Sequence, residues 1–483
     1  MPPTPPNRMP AVIMGIVLVT APLLFGAVYP WAYGLLEIGV LAAFLIWLFR
    51  HPPLTVPGAK PSNWGMLCLM GFVAWAGVQL IPLPRELVRL LAGPTYQLWQ
   101  LDFLPSDIVH LRAFLPLTVY PFATANVGIL FLVYLLAFYL AGKLVASPYR
   151  AAATPNTLIL LIVLAGLAVA VIGIVQKGVN ARAIYGFLKP LENNTFTGPY
   201  VNYNHFAGYL ELAIPLGISL IAFSLHTNLR LPANSGLLWL CGGAVVIMAS
   251  ALIMSTSRGG IFSFCLVTLG QLLMITALFR QRRIKGRFVA FGLIFLLILG
   301  VGAHMTDWSQ TMPRFHRLFQ QDPTENIRWK LFKDILHMGD ELPFSGSGLG
   351  TFAKGYPFFK TISRQGIFKH AHNDYLEILA ETGWPGILLF LGFTAWVLGR
   401  GGGTLFRALS WRNRDDPTLT GRALLITGCM GGVVSLLLHG MVDSNLHIPA
   451  NALTWFVLCG LTVGLSFVPI KAGSLAQPRS MRP

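Results

Sequence analysis

Three short segments hold the residues best suited to work on an anionic substrate. Arg258 stands in "STSRGG", where Ser255, Thr256 and Ser257 supply hydroxyls and Gly259 and Gly260 remove bulk. Arg328 stands in "NIRWKLF", and His372 in "KHAHNDYLEILAETG". A guanidinium offers paired, coplanar N–H donors to an oxyanion, and an imidazole can accept a proton near neutral pH. Each residue also has a plainer reading. Arg258 can be an arginine that ends an apolar span with its head in water, Arg328 a solvated arginine on an amphipathic helix, and His372 a structural histidine.

Two further clusters stay open between binding and structure. "YVNYNHFAGYLE" (200–211) brings Asn202, Asn204 and His205 to the start of an apolar run and puts Glu211 inside it. These residues can line a sugar site, or they can be a helix cap with an interhelical hydrogen bond. Asp443, Asn445 and His447 in "HGMVDSNLHIPAN" crowd a late turn in the same way. His370 and His372 form an H-x-H pair, but helical residues two apart point roughly 200° away from each other. The chain has no H-x-x-x-H or H-E-x-x-H, so no metal site and no cofactor are expected. "GSGLGTF" (346–352) follows no βα pattern and reads as a turn whose glycines supply positive φ, not as a phosphate loop. Cys68, Cys241, Cys265, Cys429 and Cys459 all lie in apolar segments and read as small packing residues.

The elements that must position these residues are membrane helices. The 483 residues are 54% hydrophobic and only 11% charged, too few charges to clothe a soluble protein of this size. Runs of about 20 apolar residues, the length that crosses a ~30 Å hydrocarbon core, recur throughout. Twelve spans are expected, near 10–28, 31–49, 65–82, 124–145, 155–175, 205–224, 236–255, 259–279, 288–305, 384–399, 421–439 and 449–468. The net charge of +17 suggests nucleic acid at first sight, but it concentrates in alternate connectors, most densely in "RQRRIKGR" (280–287). The positive-inside rule then places both termini in the cytoplasm, and no nucleic-acid partner is needed. Arg258, Arg328 and His372 all fall on the external side, where a lone arginine such as Arg258 opposes the topology bias and needs a reason to be there.

The largest external segment, about 306–383, is polar but balanced in charge. "ENIRWKLFKDILHMG" (325–339) places Ile327, Leu331 and Ile335 on one helical face, and "HAHNDYLEILAETG" (370–383) is a second amphipathic stretch running into the tenth span. A helical subdomain between spans 9 and 10 is therefore expected, not a floppy loop.

Taken in order, "TSRGG", "NIRWKLFKDIL…PFSGSGLGTF" and "HNDYLEILAETGWPGILLF" resemble the superfamily of O-antigen ligases and polymerases, bacterial envelope glycosyltransferases. The resemblance covers roughly 200–450; the first 150 residues agree only in being apolar spans. It implies an all-α, polytopic, GT-C-like fold and a division into an N-terminal bundle (1–200), a catalytic region (201–468) with its loop 306–383, and a cytoplasmic tail (469–483). It also implies a polyprenyl (undecaprenyl) diphosphate-linked glycan donor and a glycolipid or glycan acceptor, at the periplasmic face of the bacterial inner membrane. Carried over by motif, two essential arginines and one essential histidine fall on Arg258, Arg328 and His372; Asn204, His205 and Asn373 are candidate substrate contacts from their own position in the sequence, not from the resemblance. The reaction expected is an inverting, metal-independent transfer to an acceptor hydroxyl, lipid A–core in the ligase reading and another lipid-linked repeat in the polymerase reading. A polysaccharide-lipid transporter is the rival from another class, but it calls for inverted repeats and ion sites near the midplane, and neither is visible. On this reading His372, not His370, is the base. Both are expected at the start of one helix, with His372 aimed at the donor and His370 at solvent.

Overall fold

The computed structural model describes residues 8–50, 63–99, 113–146, 153–179, 183–188, 196–227, 235–279, 327–362, 368–413 and 416–467, with a few isolated positions besides. Their main helices are α1 (Met9–Leu23), α2 (Pro30–Arg50), α3 (Trp64–Leu80), the short α4 (Arg85–Leu91) and α5 (Gly93–Leu98), α6 (Pro121–Ala146), α7 (Ala153–Gly178), α8 (Tyr203–Thr227), α9 (Ser235–Met254), α10 (Arg258–Leu278), α11 (Ile327–Glu341), α12 (Asp374–Leu409), α13 (Pro417–His439) and α14 (Pro449–Ser466). The only sheet among the described residues is the antiparallel pair Leu83–Pro84 with Phe114–Leu115. The protein is an all-α polytopic membrane protein.

Nine helices among the described residues are long and apolar enough to cross a bilayer, and α1 and α3 are shorter apolar helices. Together they account for all but one of the twelve expected spans. The span near 288–305, the basic connector 280–287, the stretch 306–326 and the tail 469–483 lie largely or wholly outside the described residues. Large apolar side chains such as Ile38, Leu67, Trp239, Phe262 and Leu273 stand exposed on the helices. In water such a surface would drive aggregation, but against lipid chains it costs nothing, because the backbone polar groups are already paired within each helix.

The bundle is built around α8 and α14. Every residue of α14 is buried, and α8 packs against α7, α9, α10 and α13. With no water to expel between helices in lipid, close van der Waals approach must hold them together, and small residues permit it. A Cβ on Gly460 would sit 2.2 Å from the Phe138 carbonyl oxygen, and one on Gly464 2.6 Å from that of Gly142, so α14 and α6 meet backbone to backbone. Gly464→Leu is expected to destabilise the protein by about 1–3 kcal/mol or more by overpacking this seam, read as a lower thermal midpoint in detergent. An unchanged midpoint would mean that the seam is loose.

The polar segment before the tenth span is ordered by its own small core, in which Leu331, Ile335, Met338, Leu342, Phe352 and Tyr356 are buried. Its apolar face begins at Leu331, since Ile327 is 40% exposed. The α11 helix packs against α12. The "GSGLGTF" turn closes this insert with positive φ at Gly346, Gly348 and Gly350, as expected. The backbone N–H groups of Gly350 and Phe352 each donate to the buried carboxylate of Glu381 at 2.8 Å. The backbone donors of the turn are therefore already taken up by a side chain of the protein.

The long α12 is two helices in one. Gly383 takes φ 64° and ψ −171° within it, and a Cβ there would lie 2.4 Å from the Phe344 carbonyl oxygen. The kink separates the arm Asp374–Thr382, which carries the polar residues, from the apolar span that follows, at the boundary expected from the sequence.

Candidate functional site

The helix N-termini bring the polar residues together. Residues 370–373 are not helical: α12 begins at Asp374, and Asn373 is its N-cap, its side chain accepting from the N–H groups of Tyr375 and Leu376. His372 has φ 52°, a left-handed conformation that costs a non-glycine residue strain and is held only where the surroundings enforce it. They do so here. The Asn373 amide donates to the Met441 carbonyl at 2.9 Å, and the Asp374 N–H donates to the Gly440 carbonyl at 2.8 Å. The bend is thus stitched to the loop 440–448 between α13 and α14.

This corrects the expected geometry of the two histidines. They are not on opposite faces of a helix, because the N-cap ends the helix after them. His370 and His372 are equally exposed, at 37% of the side chain each, and differ in their partners. His372 Nδ1 lies 3.2 Å from Asp443 Oδ1, whereas His370 Nδ1 lies 2.8 Å from Glu377 Oε1. His370 is therefore not simply turned to solvent.

Asp443 is the residue that sequence reading left without a role. It is 1% exposed, its Oδ1 faces His372, and its Oδ2 lies 3.6 Å from His205 Nε2. That second contact is too long for a directed hydrogen bond and acts through charge. Burial works against the charge of the Asp443 carboxylate, yet the hydrogen bond to His372 and the fields of His205 and His439 outweigh it and hold the group well below the usual carboxylate range. A buried, ionised carboxylate against Nδ1 fixes the imidazole by that nitrogen and leaves Nε2 out of the contact, and it would stabilise an imidazolium if the ring took a proton.

Arg258 opens α10, behind the N-cap Ser257 whose hydroxyl oxygen accepts from the Gly260 N–H. Ser257 in turn donates to Asn204 Oδ1 at 2.8 Å, and the Asn202 side chain accepts from the Asn204 N–H. The cap-and-interhelical-bond arrangement is thus present at Asn202 and Asn204. A Cβ on Gly259 would meet His439 Cδ2 at 2.7 Å and Val442 Cγ2 at 2.8 Å. The turn carrying Arg258 therefore lies against the loop that carries Asp443, and Arg258 itself is half-buried. Beneath it, Glu211 accepts from Ser263, and its Oε1 lies 2.9 Å from His439 Nδ1. Both side chains are buried, so the pair is a close charge contact inside the protein. His205 hands its carbonyl to the Asn451 amide at 3.0 Å, which locks the start of α8 to α14. Arg328 stands in the first turn of α11, half-buried, on the insert that packs over α12.

A second cluster adjoins the first. His370, Glu377 and His447 offer ligand atoms that all lie within 4.8 Å of one another. His447 Nδ1 is 3.0 Å from Asp374 Oδ1, and its Nε2 is 3.3 Å from Glu377 Oε1. Burial alone would lower the pKa of His447, but the carboxylates of Glu377 and Asp374 prevail and push it up to about 10. His-x-His spacing within one segment missed this group because its members come from the 370–377 segment and the loop 440–448. The only sequence signal for it was the crowding of Asp443, Asn445 and His447 in one turn.

A family described as O-antigen ligase matches residues 243–391. The match runs from within α9, through Arg258, Arg328 and the His372 bend, into α12. No curated protein matches the chain. The resemblance read from the motifs is met over this segment, which is similar to the O-antigen ligase family.

Proposed function

We propose that this membrane protein, on the strength of its segment similar to the O-antigen ligase family, transfers a glycan from a polyprenyl (undecaprenyl) diphosphate to an acceptor hydroxyl, with lipid A–core as the acceptor. The observation that carries the reading is the buried Asp443 carboxylate 3.2 Å from His372 Nδ1, in a strained bend facing the loop against which the Arg258 turn packs. In the step, the acceptor oxygen forms a bond to the anomeric carbon as the bond from that carbon to the diphosphate oxygen breaks. The electron pair leaves with the diphosphate, and the hydroxyl proton passes to Nε2 of His372, whose imidazolium Asp443 then stabilises. A diphosphate departs as an anion without a general acid. What it needs is cationic stabilisation, and Arg258 and Arg328 supply it. The step itself calls for no metal ion. A single displacement inverts the anomeric centre.

The charge bias of the connectors supports an inner-membrane protein with cytoplasmic termini and this site on the periplasmic side. There the donor keeps its lipid tail in the bilayer while its diphosphate reaches the interface at Arg258. The test is transfer by the purified protein from a defined lipid-diphosphate glycan to lipid A–core, to a second lipid-linked repeat and to water, with products identified by mass spectrometry and the anomeric configuration by NMR. Inverted glycan on lipid A–core is the expected product. Elongation of the lipid-linked repeat would replace the ligase reading with the polymerase one, and no transfer to any acceptor would remove the enzyme reading altogether.

A further inference from the structure

We propose that His370, Glu377 and His447 form a binding site for a divalent transition-metal ion of the Zn²⁺ class, a clasp that locks the His372 bend onto the loop 440–448. The site stands independently of the transfer reaction, because its ligands are not the residues assigned to that chemistry.

The first argument is spacing. A tetrahedral ion with bonds of about 2.0–2.1 Å holds its ligand atoms roughly 3.3–3.4 Å apart. His447 Nε2 and Glu377 Oε1 are 3.3 Å apart, and His370 Nδ1 lies 2.8 Å from the same oxygen. Small rotations of these side chains bring the remaining edges to that length, since all the donor atoms already lie within 4.8 Å of one another.

The second argument is the supporting shell. A metal-binding imidazole is held by a hydrogen bond from its other nitrogen, commonly to a carboxylate. His447 has that partner: Nδ1 faces Asp374 Oδ1 at 3.0 Å, which turns Nε2 toward the cluster. Asp374 is itself fixed by the Leu446 N–H. Glu377 is buried and anchored in the same way, its Oε2 accepting from the Ala371 N–H at 2.8 Å and the Ser444 hydroxyl at 3.0 Å. Oε1 is thereby left to the two imidazoles.

The third argument is chemical class and access. Two nitrogens and one carboxylate oxygen suit Zn²⁺ and its neighbours better than Ca²⁺ or Mg²⁺, which prefer all-oxygen shells. His370 is 37% exposed, so an ion can reach the site from the aqueous side and a water can complete its coordination. The ligands flank His372 in sequence and reach across to the loop holding Asp443, so an ion there would tie together the two segments that form the His372–Asp443 pair.

The experiment uses the full-length protein, purified in detergent through a tag without histidine and stripped with a chelator. It is then dialysed against Zn²⁺ or Co²⁺ and desalted. About one equivalent of metal should be retained, with the visible absorption of four-coordinate Co²⁺. Asp374→Asn should weaken binding by about 10–100-fold through the lost support of His447, and His370→Ala, at a half-exposed position, should remove the tight equivalent while the protein still elutes as a single species. Retention of no metal by the wild-type protein would mean that protons alone hold the cluster. Unchanged retention by both His370→Ala and His447→Ala would mean that scattered surface histidines are responsible. Either result overturns the proposal.

Discussion

His372→Ala is expected to lower turnover by about 10²–10⁴-fold, the usual worth of a general base, which is about 3–5 kcal/mol of activation free energy. Binding of the lipid-diphosphate donor should be nearly unchanged, because in the proposed step the imidazole acts on the acceptor hydroxyl and not on the diphosphate. The loss should therefore appear in kcat more than in KM. Asp443→Asn tests the same pair from behind. The amide keeps the size of the carboxylate but cannot stabilise an imidazolium, so it should also reduce kcat with the donor still bound. The φ of 52° at His372 adds a structural reading: if the residue were there only to make the turn, His372→Asn, which tolerates this conformation, would retain full activity. Transfer by His372→Ala at near the wild-type rate would place the base elsewhere.

Arg258→Lys is the second variant with a large expected effect. It preserves the charge and the position at the start of α10, but replaces a planar fork with a point charge. If the guanidinium grips a diphosphate whose negative charge grows as the bond breaks, the loss should be about 10²–10³-fold in kcat, the scale seen when one donor to a developing oxyanion is removed. Arg258→Ala should lose at least as much and should also weaken donor binding. The control is folding, since the Ser257 cap and the close contact of Gly259 with His439 remain in both variants. Near-normal turnover in a well-expressed Arg258→Lys protein would reduce this residue to an interface anchor.

What could be read along the chain was whatever depends on local periodicity. Apolar runs of bilayer length gave away the helices, because in lipid a backbone can satisfy its polar groups only by coiling on itself. The amphipathic pattern around Leu331 and Ile335 announced the insert, and the glycines of "GSGLGTF" announced its turn. The break at Gly383 was legible as the point where a polar helix gives way to an apolar one. The arginines and His372 stood out because polar groups at span ends are costly enough to require a cause.

The pairing of these residues is another matter, because hydrogen bonds between distant segments leave no period in the sequence. Asp443 lies 71 residues from His372, and His447 lies 70 residues beyond Glu377, so only the packing of α12 against α13 and α14 brings them into contact. The orientation of His370 was misjudged for a related reason. A helical-wheel argument assumes that the helix includes the residue, and the Asn373 cap ends the helix one position short of His372. The sequence by itself determined that this is a bundle of membrane helices with cationic and imidazole side chains at one end. Only the tertiary structure decided which carboxylate serves which histidine, because that choice is made by a strained bend held against a loop from a different part of the chain.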